Sequence, residues 1–392
     1  MFNPSKLKVN VLHVVSGLPP DGGGPSIVIP LTILSENKYL GISSYLLCLY
    51  SRHPVSGYEY PLSDLVGNKL VSFLRSFTCL RFSPSLLTSL FAADYDVLHI
   101  HGSWHISTSL AACICLIRKK KYIITPHGSL VRGHLVKNRI LKFVWWNLID
   151  KYAYTFASSV RLLSRLEYNE IPQYISKVFP DVSIIPNGID FNLISDRESL
   201  EIKKDHLKSR IVSGRIRFIF FSRLSCVKGI LELLSAWRAA TESNPGFLEN
   251  CSLDLIGPID DSIALEVFNI VGNCQSIEYL GQVHGVDRFK QLLCHDVFVL
   301  PTKGEGLSTA LLEAISSYCY VITTPMCNLN DPYLTNDFYY CQPTIPSIRD
   351  ALLGFYTSFR PDAPILLKQR EYVMSNYGWA FVSSLLSRLY QP

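Results

Sequence analysis

Charge is scarce in this sequence. Asp, Glu, Lys and Arg make up 18% of its 392 residues, against about 25% in an average soluble domain, while 48% are apolar. That balance excludes a disordered or acidic solvating chain, which needs low hydrophobicity and high charge. Long hydrophobic runs are missing too. The longest weakly polar stretch, residues 106–117, is interrupted by Ser and Thr and falls short of the roughly 20 apolar residues a membrane span requires. No secretory leader is legible, because Lys6 and Lys8 precede only a short apolar run containing Asn10 and His13, with no small-residue cleavage site after it. The expectation is a cytoplasmic protein.

Patterned cysteine is also lacking. The eleven cysteines form no CxxC pair and have no histidine at zinc-finger spacing, so they read as reduced, buried, small apolar side chains. The GxGxxG dinucleotide fingerprint is absent. The length suits two domains. Net charge is +5, shared unevenly: residues 1–190 hold 19 Lys and Arg against 11 Asp and Glu, the remainder 18 against 21. A basic first half suggests an anionic partner there, whether membrane surface, phosphorylated substrate or nucleic acid.

What is present is a β–α alternation. Residues 8–15, 45–49, 97–101 and 122–125 read as strands in the first half. The turn Pro186-Asn187-Gly188 interrupts the pattern, and residues 195–213 read as a connection with a short helix. The second half restarts with strands at 217–222, 253–256, 277–280, 297–300 and 320–323 and a helix over 229–240. This predicts an α/β protein of two Rossmann-like parallel-sheet domains facing a cleft, with ligands beyond the carboxyl ends of the strands.

The loops after strands therefore hold the candidates. Gly22-Gly23-Gly24-Pro25-Ser26 lets backbone approach an anion before a helix that opens near Pro25; a plain flexible turn is the alternative. His127, in Thr125-Pro126-His127-Gly128-Ser129, could donate to a sugar or phosphate, or be structural. His99 and His101 share a strand face, but no carboxylate stands near them in sequence to complete a metal site. Arg223 and Lys228 flank a loop before a helix, an arrangement suited to a diphosphate. Glu305 and Glu313 stand eight apart, with Gly306 opening a helix between them. Glu313 lies among Leu311, Leu312, Ala314 and Ile315, so its carboxylate is expected to be buried and to need a partner, which polyol hydroxyls would supply. Asp94-Tyr95-Asp96 has the DxD shape of a metal–nucleotide site but precedes its strand, on the wrong edge of the sheet.

Together these elements resemble the retaining sugar-nucleotide glycosyltransferases of family 4, which have the GT-B fold. The specific part is the E-x7-E element EGLSTALLEAIS from Glu305, with Ser222-Arg223-Leu224 and Lys228-Gly229, Ile185-Pro186-Asn187-Gly188-Ile189-Asp190, and Val321-Ile322-Thr323-Thr324-Pro325. GGGPS, HIHGSW and TPHGS resemble the subgroup found in bacterial exopolysaccharide and O-antigen assembly. The resemblance implies an acceptor-side domain over 1–190, a nucleotide-sugar domain over 191–375, and a helix over 376–392 crossing back to the first. It implies that Arg223 and Lys228 bind the donor diphosphate without a metal and that Glu313 accepts from the ribose. Glu305, Gly306 and Leu307 would contact the donor sugar, His127 would lie near its reacting carbon, and Gly23 and Gly24 near the phosphates or acceptor. Ser222 departs from the glycine many members carry before the arginine, which puts close backbone packing there in doubt.

The implied reaction moves a hexosyl-type sugar from a nucleotide-sugar co-substrate to a glycan or lipid-linked acceptor, with no other cofactor. A catalytically silent scaffold subunit and a nucleotide-sugar epimerase stand as alternatives, and no nucleic-acid motif appears. Arg118-Lys119-Lys120-Lys121 and residues 132–154, where lysines interleave with Phe143, Trp145, Trp146 and Tyr152, suit an anionic membrane leaflet or, equally, a helix whose aromatics are core.

Overall fold

The computed structural model of the protein describes residues 9–18, 24–50, 61–76, 82–136, 138–190, 195–283, 285–329, 331–359 and 363–391. The chain divides into two compact units between Gly188 and Ile189 and again between Gly378 and Trp379, so the last helix, Trp379–Tyr390, belongs to the first unit.

The first unit is built on strands β1 (Asn10–Val15), β2 (Ser43–Tyr50), β3 (Val71–Arg75), β4 (Val97–His101), β5 (Lys121–Thr125), β6 (Ser159–Leu162) and β7 (Val182–Ile184). They form one parallel seven-stranded sheet in the order β3-β2-β1-β4-β5-β6-β7. Both faces are covered, which is why β1 and β4 read as nearly continuous apolar runs. The two-residue period sends Leu12, Val14, Leu98, Ile100, Tyr122 and Ile124 into one core with Trp146 and Tyr154. Val11, Val97 and Ile123 go to the other face, under Trp379, Val382, Leu386 and Tyr390 of the last helix. Gly188 is required where that helix begins, because a Cβ there would lie 2.3 Å from the Trp379 ring.

The second unit holds β8 (Ile216–Phe221), β9 (Cys251–Ile256), β10 (Ile277–Gly281), β11 (Val297–Leu300), β12 (Tyr320–Thr323) and β13 (Tyr339–Tyr340), parallel in the order β10-β9-β8-β11-β12-β13. In each sheet the winding reverses once, between β1 and β4 and between β8 and β11. These are the topological switch points at which such sheets open a crevice beyond their strand ends.

Some strands escaped the sequence reading for identifiable reasons. β6 carries Arg161 in full burial, where its guanidinium donates to Ile185 O at 3.1 Å and Pro186 O at 2.7 Å. A charge in the middle of a strand hides the apolar pattern. The segment read as a connection with a short helix is an 18-residue helix, Asp196–Ser213, capped by the Ser195 hydroxyl. It docks through buried polar groups rather than an apolar stripe: Lys203 donates to His295 O, and Asp296 takes His206 at 3.0 Å and Arg210 at 2.7 Å. The cysteine expectation holds for Cys48, Cys115, Cys251, Cys319, Cys327 and Cys341, which are buried, whereas Cys113 and Cys226 are exposed; all those described are free. Among the described residues no helix is long and apolar enough to cross a membrane.

Candidate active site

In the second unit the site grows from the ends of β8 and β11. After Phe221 the chain runs through Ser222, Arg223 and Leu224 into a tight turn, Cys226–Lys228, and Gly229 starts the helix Ile230–Ser243. Gly229 has φ +74°, and a Cβ there would meet Pro301 O at 2.1 Å, so only glycine lets this helix abut the end of β11. The two loops are stitched by Lys303 N donating to Val227 O at 2.8 Å. That stitching brings the Lys228 ammonium onto the Glu305 carboxylate, 77 residues away in sequence. Both side chains keep some exposure, 20% and 12%. Close packing at Ser222 is supplied from the neighbouring strand: Gly257, at φ +139°, has room for no Cβ, which would lie 2.0 Å from Ser222 O.

Gly306 does not open the helix that follows Glu305. The helix is Thr309–Ser316, with Ser308 at its N-cap accepting from Leu311 N at 3.3 Å. A serine hydroxyl at that position outcompetes a glycine two residues earlier because it satisfies an otherwise orphaned N–H. Gly306 and the buried Leu307 form the approach to the helix instead, and Asn328, at φ +58°, donates its amide to Glu305 O. Glu313 is 7% exposed, as its apolar neighbours implied. Its partner within the protein is Arg288, on the helix Val286–Leu293, whose Nη2 lies 2.7 Å from Oε1 and 2.5 Å from Oε2. Burial raises the Glu313 carboxyl above the usual range, and Arg288 opposes that shift. No local spacing marks Arg288, so the sequence reading passed over it.

In the first unit the ends of β1, β4 and β5 carry a buried line of imidazoles. Parallel register sets His13 beside His99, and the two-residue period stacks His99 on His101, ring centroids 4.4 Å apart. Their face lies under the helix Gly24–Ser35 and the last helix. From the π-turn Glu36–Leu40, which continues the first of these, Glu36 turns fully inward. Glu36 Oε2 is 2.9 Å from His13 Nε2, His13 Nδ1 is 2.9 Å from His101 Nε2, and His101 Nδ1 is 2.9 Å from His127 Nε2. A side branch runs from Glu36 Oε1 to the Tyr390 hydroxyl at 2.7 Å, from there to His99 Nδ1 at 2.7 Å, and from His99 Nε2 to Thr125 at 2.7 Å.

The carboxylate that the histidines lacked in sequence is thus Glu36. Ligand-capable atoms of His13, His99 and His101 lie within 4.8 Å of one another. Their rings stack rather than converge, and both nitrogens of each are engaged in the hydrogen bonds just described. His127 follows β5 at φ +52°, a left-handed conformation uncommon outside glycine; the next amide, Gly128 N, donates to Glu167 at 2.8 Å. Burial, reinforced by the Arg161 charge, pushes His127 down to about 3, and burial first of all holds His99 and His101 well below the ordinary imidazole range. Gly24 begins the first helix and is exposed; Gly22 and Gly23 lie outside the described residues. Asp96 accepts from Asn10 N at 2.9 Å at the opposite, amino-terminal edge of β4 and β1.

Residues 41–193 match the family model described as Glycosyltransferase Family 4, and residues 215–344 match Glycosyl transferases group 1. The chain is 24% identical over 310 residues to the UDP-Gal:alpha-D-GlcNAc-diphosphoundecaprenol alpha-1,3-galactosyltransferase of Escherichia coli, across 71% of this chain and 72% of that one. It is 26% identical over 251 residues to TuaC of Bacillus subtilis (strain 168), a glycosyltransferase assigned to teichuronic acid biosynthesis, across 62% of this chain and 57% of that one. Among solved structures, Anabaena HepE in complex with UDP and glucose aligns with a TM-score of 0.71 at 15% identity, over 97% of this chain and 98% of that one. With a glycosyltransferase model matching each half and two parallel α/β sheets shared with such neighbours, the chain is a family 4 glycosyltransferase of the GT-B fold.

Proposed function

We propose that this glycosyltransferase moves a hexosyl-type sugar, with retention and without a metal, from a UDP-sugar to a lipid-linked or glycan acceptor in bacterial surface polysaccharide assembly. The observation that carries the reading is the loop after β8, where Lys228 meets Glu305 at a topological switch point and Arg223 stands on the same loop. In this reading Arg223 and Lys228 take the donor diphosphate and stabilise charge on the leaving group, the largest contribution such a site can readily make. Glu313 keeps carboxylate lone pairs beyond those used by Arg288 and accepts from the ribose hydroxyls. Glu305, Gly306 and Leu307 contact the donor sugar, as does His127, and the Gly23–Gly24 turn serves the phosphates or the acceptor. The second unit is the donor domain and the first the acceptor domain. UDP and an undecaprenol-linked acceptor are favoured because the named relative from Escherichia coli uses them and Anabaena HepE was solved with UDP.

Thermal shift against UDP-, GDP- and ADP-sugars tests the donor assignment. Stabilisation by UDP-sugars, lost in Arg223→Ala, is the expected result; stabilisation by none of them would favour a non-catalytic scaffold.

A membrane surface is the other part of the proposal. Between residues 132 and 156 the large apolar side chains divide: Trp146 and Tyr154 are core, but Ile140, Leu141, Phe143 and Leu148 stand out, with Ile140 82% and Leu148 69% exposed. Arg118, Lys119, Lys120, Arg139 and Lys151 belong to the same basic unit. Exposed aliphatics in a lysine- and arginine-rich region fit the headgroup zone of an anionic leaflet, which would bring the enzyme to a lipid-linked acceptor.

A further inference from the structure

The line from Glu36 to His127 has a direction, and its buried end sets it. The Glu36 carboxylate receives the hydroxyls of Ser44 at 2.6 Å and Tyr390 at 2.7 Å, and its other contact is His13 Nε2. An ionised carboxylate only accepts, so His13 carries a proton on Nε2, and we take Nδ1 of this ring as the acceptor. His101 must then donate from Nε2, which leaves its Nδ1 to accept from His127 Nε2. His127 ends the line protonated on Nε2, with a lone pair on Nδ1 that has no hydrogen-bond partner among the described residues. The side branch obeys the same rule: Tyr390 donates to Glu36, His99 Nδ1–H donates to Tyr390, and Thr125 donates to His99 Nε2. In this arrangement every proton has one place, and His99, His101 and His127 are neutral, in agreement with the burial that disfavours their charged forms.

We propose that Glu36 is a positioning residue which, through His13 and His101, holds His127 in the Nε2–H tautomer, so that Nδ1 accepts a hydrogen bond from a hydroxyl of the donor sugar. The sugar contact rests on the assignment of His127 made above; the tautomer does not. A lone pair at that point selects a sugar presenting a hydroxyl and disfavours one presenting a carboxylate, which has no proton to give. A tautomer is fixed by whatever the other ring nitrogen meets, and the buried Glu36 carboxylate is what the His13 end of the line meets.

Long-range 1H–15N spectra of protein labelled at histidine read the tautomer without substrate, with His127 assigned by the signals lost in His127→Gln. The expected result is Nε2–H for His127 between about pH 6 and pH 8. In Glu36→Gln an amide that can donate replaces a group that only accepts, so the line can reverse; Nδ1–H should appear at His127 and kcat should fall about ten-fold, one hydrogen bond in the transition state. Nδ1–H in the unaltered protein overturns the proposal, and so does a His127 tautomer indifferent to Glu36→Gln. If Glu36→Gln does not fold, the spectrum of the unaltered protein still decides. Failure to bind any UDP-sugar would remove the donor reading and leave the tautomer to be judged on the spectrum alone. A reversed tautomer with an unchanged transfer rate would overturn the sugar contact.

Discussion

Nη2 of Arg288 lies within 2.7 Å of both carboxylate oxygens of Glu313, joining a helix that precedes β11 to the one that follows it. The pair is nearly dry, with side chains 14% and 9% exposed. Deleting one member of such a pair costs more than the pair contributes, because the other charge stays buried.

Arg288→Ala and Glu313→Gln should therefore each destabilise the second unit by about 3–5 kcal/mol. Urea unfolding measures both. Equal losses below about 1 kcal/mol would mean that the pair behaves as a surface one.

Lys228→Ala should leave the melting temperature nearly unchanged, since its ammonium is partly exposed, yet reduce kcat by about a hundred-fold or more through loss of leaving-group stabilisation. Steady-state transfer assays with a UDP-sugar check this. A loss smaller than about ten-fold would remove Lys228 from the transition state.

Acid should weaken the first unit before it touches ordinary carboxylates. His99, His101 and His127 sit below the usual imidazole range, mainly through burial, so the unfolded chain takes up protons first as pH falls below about 6.5. Their contribution is complete above that pH and declines toward the folded values. His127, at about 3, accounts by itself for about 2 kcal/mol between pH 7.5 and pH 5. Denaturant titrations across that range should show the decline, and a flat profile contradicts it. In the second unit, burial works to raise Asp254 and Asp296, but hydrogen bonds from His295 and His206 outweigh it and hold both low. Their contribution is present above about pH 4 and is lost only as pH falls further.

Cys226 is exposed within the loop that carries Arg223 and Lys228, and Cys113 is exposed on the first unit. Alkylation followed by peptide mass spectrometry should find UDP shielding Cys226 while Cys113 reacts as before. Equal labelling of Cys226 with and without UDP counts against a donor site at this loop.

Ile140→Asp with Leu148→Asp should abolish flotation on vesicles containing anionic lipid while transfer to a water-soluble acceptor analogue persists. Flotation indifferent to these changes, or to lipid charge, defeats the membrane-surface assignment.

Much of this molecule is legible locally. Residues 297–300 and 320–323 read as strands and are β11 and β12, because short β-branched runs between turn residues have few other uses. The loops bearing Arg223, Lys228, Glu305 and Glu313 were visible for the same reason. The Asp196–Ser213 helix was underestimated because its docking face is made of Lys203, His206 and Arg210, which carry no apolar period. Glu36 and Arg288 gave no signal at all: each is an ordinary charged residue in its own neighbourhood.

The sequence by itself determined the β–α rhythm, the turns and the residues set beyond the strand ends, since these follow from side-chain period and turn chemistry within a few residues. Only the tertiary structure decided which buried polar groups meet. Glu36 reaches His13 across 23 residues and Tyr390 across 354, and Lys228 reaches Glu305 across 77. Strand order and parallel register create those meetings, and a buried charge must find its partner wherever the fold brings one.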